Sequence, residues 1–88
     1  VMRYNAEACA PQMAEVAAAL GQARQPAAAQ IEALIARLGL PTRIGQLGID
    51  RSRLATIAAK GMAIPWVRTN PRKIERVEQL VEILEAAW

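Results

Sequence analysis

Alanine limits this chain more than any other residue type. Of its 88 residues, 53% are apolar, and 19 of these are alanine. Alanine is the best helix former, and β-branched residues are few outside the final segment. Its single methyl lets helices approach closely but removes little area from water. The class that follows is all-α: a compact bundle of about four helices plus a short helical turn, read as a single helical domain or subdomain over residues 1–88. A chain of this length buries roughly 60–65% of its unfolded surface, so stability is marginal.

Glycine and proline mark the divisions. Pro11 suits a first helical position and Gly21 a C-terminal exit, with Met13, Val16, Ala17 and Leu20 at helical spacing between them. A second helix is expected from Pro26 to Leu38, striped by Ile31, Leu34, Ile35 and Leu38. Gly39 would supply its left-handed cap, Leu40 would fold back on Ile35, and Pro41 would block continuation. Residues 42–49 are too glycine-broken for more than one turn, around Arg43–Leu47. Asp50 is a good N-cap for a helix reaching about Gly61–Met62, with Ile49 and Leu54 placed as a hydrophobic staple. Residues 63–69 read as a connecting loop. The last helix is expected to open at Asn70-Pro71, Asn70 capping and Pro71 taking the first helical position. Ile74, Val77, Leu80, Val81, Leu84 and Trp88 line one of its faces, and Glu75, Glu78, Glu82 and Glu85 lie mainly on the other.

The absence of histidine excludes a Ser-His-Asp or Cys-His centre within these residues, and a His-based metal site. A single cysteine, Cys9, can close no internal disulfide and no CxxC knuckle, which points to a reduced, cytoplasmic setting. Cys9 itself reads as a small buried or half-buried residue, with no neighbour to activate it. No stretch approaches the roughly 20 apolar residues that span a bilayer, and no signal peptide is visible. The opening at Val1, straight into dense sequence, suggests a piece of a longer protein.

The net charge of +3 is unevenly placed. Residues 43–76 carry eight basic groups against Asp50 and Glu75. Such a stretch can attract nucleic acid, a phosphate-bearing ligand or a membrane surface, but its ordinary role is a solvated face. Nucleic-acid binding is poorly supported. Gly45 and Gly48 would strain a recognition helix, and Ala55, Ala58 and Ala59 leave the following helix little polar reach. The segment Pro65-Trp66-Val67-Arg68-Thr69-Asn70-Pro71-Arg72 is the most distinctive in the chain. A helix start there could hold an anion with help from Arg68 or Arg72; plain capping, with Trp66 pinning a loop, is the simpler account.

VMRYNA at 1–6, LGLPTRIGQLGID at 38–50 and RTNPRKI with ILEAAW at the close resemble the C-terminal end of iron-containing alcohol dehydrogenases. The maleylacetate reductase-like and lactaldehyde reductase-like branches are the nearest. The resemblance covers essentially the whole chain, and the Asn70-Pro71-Arg72 step after the LGLPT and LGID turns is its most specific part. It implies a two-part oxidoreductase that moves a hydride between a nicotinamide and an alcohol or carbonyl carbon. An N-terminal α/β domain would bind NAD(P), and a helical C-terminal domain would hold Fe(2+) or another divalent metal through one Asp and three His. The last of those histidines would lie shortly before the stretch similar to Val1–Ala6. The resemblance therefore gives this segment no metal ligand, no cofactor-binding residue and no catalytic residue. One carry-over remains: Trp66 and its neighbour Val67 would border the substrate cleft. The implied partners are the nucleotide-binding domain and metal-ligand helices of the same chain, with homo-oligomerisation of the parent; from the residues themselves no membrane partner is expected, and nucleic acid is the lesser alternative. The rival from another class is a free-standing helical interaction module that uses the alanine-rich faces or the basic 43–76 region.

Overall fold

Every long alanine-containing segment between the glycines and prolines is helical. The computed structural model describes residues 1–88, and the chain contains helices and no strand. It divides into two compact units, Val1–Thr42 and Arg43–Trp88.

The first unit holds α1 (Met2–Asn5), α2 (Ala10–Ala19) and α3 (Ala27–Arg37). The single turn α1 occupies the edge around Tyr4 and Asn5. Cys9, half-buried, precedes α2, and Pro11 sits in its first turn. Both longer helices end as the glycines predict. At the end of α3, Gly39 takes φ +72°. Its N–H donates to the Ala36 carbonyl at 3.0 Å and the Leu40 N–H to that of Ile35 at 3.2 Å. That pair of bonds is a Schellman ending. Gly21 and Gln22 repeat it on Ala18 and Ala17. The buried residues are small: Ala17, Ala27 and the polar Asn5. Polar contacts therefore carry much of the fastening. The Gln30 side-chain nitrogen reaches the carbonyls of Gln22 at 2.7 Å, Gln25 at 3.0 Å and Ala17 at 3.2 Å, so one amide from α3 gathers the α2–α3 loop. Arg3 forms an ion pair with Glu32, joining α1 to α3.

The second unit opens with a 3-10 turn over Ile44–Leu47, the one expected around Arg43–Leu47. The Asp50 side chain accepts the Ser52 N–H at 2.8 Å, as an N-cap should. The element it caps is a 3-10 turn over Arg51–Arg53 that runs directly into α4 (Leu54–Gly61). Leu54 and Ala58 are the best-buried residues of the chain, each 1% exposed, where α4 packs on α6 (Val77–Ala87). A Cβ on Gly61 would lie 3.1 Å from Leu80 Cδ1, so glycine permits the close approach of the two helices there.

Two expectations about this unit are corrected. Residues 63–69 are not simply a loop, because Pro65–Arg68 forms one helical turn, α5. Ile64 is extended (ψ 121°), as a residue before proline prefers, and Pro65 then starts the turn. The last helix does not open at Asn70-Pro71; it begins at Val77. Asn70 caps no helix, since residues 71–76 are not helical; its side-chain amide donates to the Arg72 carbonyl at 2.6 Å. Gln79 decides the boundary instead. Its side-chain oxygen accepts the N–H groups of Glu75 and Arg76 at 2.8 and 2.9 Å, and its nitrogen donates to the Lys73 carbonyl at 3.3 Å. Arg76 is held extended (φ −128°, ψ 147°), and arginine has no acceptor with which to complete a capping box. Ile74 is buried, but from this non-helical stretch rather than from the helix.

Candidate functional site

The candidate cleft residues lie on α5, and short-range hydrogen bonds hold them. The Val67 N–H donates to the Ile64 carbonyl at 3.1 Å, and the Asn70 N–H to that of Val67 at 3.3 Å. The Thr69 hydroxyl donates to the Trp66 carbonyl at 3.0 Å. Together with the Asn70–Arg72 bond, these contacts fold 64–72 into successive tight reversals. Trp66 stands out from this base with 80% of its surface exposed, more than any other large apolar residue in the chain. Val67, its neighbour on the same turn, is half-buried.

The indole is thus not pinned against the unit, contrary to the loop-pinning account. An exposed tryptophan is costly in water, and such side chains are characteristic of contact surfaces. Arg68, Arg72, Lys73 and Arg76 are exposed along the same stretch, with Glu75 as the acidic residue among them. The basic region is largely a solvated face, as its composition suggests. The anion-holding helix start at Asn70-Pro71 does not exist, because residues 70–76 are not helical.

Another cluster, not anticipated from local sequence, lies at the end of α6. Trp88 reads in the sequence as the last core contact of its helix, yet it is 39% exposed and its role is polar as well as apolar. Its indole N–H donates to the Ile49 carbonyl at 3.1 Å, and its own carbonyl accepts the Gly45 N–H at 3.4 Å. The Arg51 guanidinium lies 5.5 Å from the Trp88 ring centroid and pairs with Glu85 at 2.6 Å. The Glu85 carboxylate, by hydrogen bond first and charge second, raises the Arg51 pKa further above its ordinary range. A Cβ at Gly45 would fall 3.2 Å from the Trp88 ring, so the close approach needs glycine there.

The family comparison agrees with the motifs. A model of the Fe-containing alcohol dehydrogenase family, C-terminal, matches residues 1–88. The chain belongs to that family. Searches of curated proteins and of solved structures returned no match. As a member of the Fe-containing alcohol dehydrogenases, the chain corresponds to the C-terminal part, and the family implies iron and a nicotinamide cofactor for the whole protein. Residues 1–88 do not fit as the holder of the metal. They contain no histidine, and they bring no three His, Cys, Asp or Glu side chains together. No helix is long and apolar enough to cross a membrane.

Proposed function

We propose that residues 1–88 are the C-terminal helical part of a metal-dependent, NAD(P)-linked alcohol dehydrogenase-like oxidoreductase. They pack behind its metal site and border its substrate cleft through Trp66 and Val67. The observation that carries the cleft role is the 80% exposed indole on a hydrogen-bonded turn. A rigid aromatic wall selects substrates by shape and apolar contact without taking part in proton or hydride movement. The maleylacetate reductase-like and lactaldehyde reductase-like branches are the reading for its subfamily, on the Asn70-Pro71-Arg72 step and the turns before it. The remainder of the same chain is the partner, the parent self-associates, and the setting is cytoplasmic. Metal and nucleotide are held by that remainder. Residues 1–88 alone have no turnover.

The test uses the full-length protein supplied with Fe(2+) and NAD(P)H. Trp66→Ala should raise KM for bulky carbonyl substrates about tenfold while kcat changes much less, as for loss of a contact made equally before and during the reaction. Trp66→Phe should restore most of the loss. An unchanged substrate profile would remove Trp66 from the cleft. Absence of nicotinamide-linked turnover in the unaltered protein, or turnover by residues 1–88 alone, would overturn the wider reading.

A further inference from the structure

The 43–53 stretch contains no buried residue. It is two short 3-10 turns joined through Gly48, which takes φ +74°, and 3-10 turns are weak in isolation. A segment of this kind borrows its order from elsewhere. Four of its residues reach the end of α6. The Arg43 guanidinium donates to the Ala86 carbonyl at 2.8 Å, and the Gly45 N–H to the Trp88 carbonyl. The Ile49 carbonyl accepts the Trp88 indole N–H, and Arg51 joins Glu85 and covers the Trp88 ring. These contacts sit at the surface. The paired side chains of Arg51 and Glu85 are 63% and 35% exposed, whereas Leu54 and Ala58, at the α4–α6 contact, are 1% exposed.

We infer that residues 85–88 act as a strap that holds the basic 43–53 turn closed, and that strap and turn open together without disturbing the α4–α6 pair. The physical reason is the difference in burial: the strap rests on partly exposed hydrogen bonds, an ion pair and a cation–π contact, while the helix pair rests on excluded water. Local opening follows the regions with few buried apolar contacts. Opening releases Arg43 from Ala86 and Arg51 from Glu85 in one step, so a corner whose charges are engaged becomes a basic one. This is a conformational device built into the fold, separate from the Trp66 cleft role.

Hydrogen exchange on the full-length protein, read by mass spectrometry, tests it. In Trp88→Ala, amides of residues 43–53 should exchange about tenfold faster, the factor expected from losing one hydrogen bond and one ring contact. Peptides over 54–61 and 77–84 should keep their protection. Gly45→Ala, which pushes its methyl against the Trp88 ring, should act in the same direction. Trp88→Phe, which keeps a ring but loses the N–H, should fall between and guards against simple misfolding of the alanine variant. Unchanged exchange over 43–53 in Trp88→Ala would overturn the strap. Equal acceleration of 43–53 and of both helices in Trp88→Phe would overturn its independence.

Discussion

Gly39 and Gly45 are both glycines near a helix end, yet different forces hold them. Gly39 has φ +72°, and a Cβ there would meet nothing within 4 Å. Its requirement is conformational, since a side chain in the left-handed region crowds its own carbonyl. Gly39→Ala should therefore cost about 1–2 kcal/mol, the left-handed penalty, measured as a lower urea midpoint. Gly45 has no positive φ; its requirement is space beside Trp88. Gly39 was legible from the sequence because its neighbours Ile35, Leu40 and Pro41 belong to the same helix end. Gly45 was not, because the ring that needs the space comes from the other end of its unit.

At the scale of elements, α4 shows both local and non-local control. Asp50 caps the turn that feeds it, and the Ser52 hydroxyl and N–H, in that order, with Arg53 behind them, lower the Asp50 carboxyl below its ordinary 3.8. A depressed acid stabilises the folded state above its unfolded value and loses that contribution as pH falls through the lower folded value. Acid titration of the full-length protein should show the Ser52 amide losing its hydrogen-bond signature below pH 3.8 in nuclear magnetic resonance. Asp50→Ala should abolish that step. Leu54, four residues on, supplies the packing. Leu54→Ala should cost about 2–5 kcal/mol, the usual range for a buried leucine, by denaturant unfolding. The start of α6 went the other way. Asn70-Pro71 carries a sound local signal for a helix start, but Gln79 ties three backbone groups of the preceding stretch, which is non-helical. A signal spread over residues 73–79 outcompeted one confined to a dipeptide.

Across the whole molecule, charge and apolar surface separate into roles. The basic residues of 43–76 are mostly solvated, and Arg43 and Arg51 are spent on the end of α6. Trp66 is spent on nothing within its unit beyond its own backbone turn. Trp66→Ala should therefore leave the unfolding free energy, from urea titration, within about 0.5 kcal/mol of the unaltered protein, while it changes the substrate profile. A large loss of stability in the same variant would mean that the indole is a packing group and not a cleft wall.

The sequence by itself determined the all-α class, the existence of the four longer helices, the glycine exits at Gly21 and Gly39 with the Schellman ending at Gly39, and the Asp50 cap. Each depends on propensity or on residues within a turn of one another, where the physics is local. Its motifs also carried the family, since they run in order along the whole chain. Tertiary structure alone decided where α6 begins, that Trp66 stands in solvent, and that Trp88 fastens a turn some forty residues earlier. Those outcomes rest on hydrogen bonds and burial between groups brought together by folding, and no local pattern encodes which carbonyl an indole or an amide will meet.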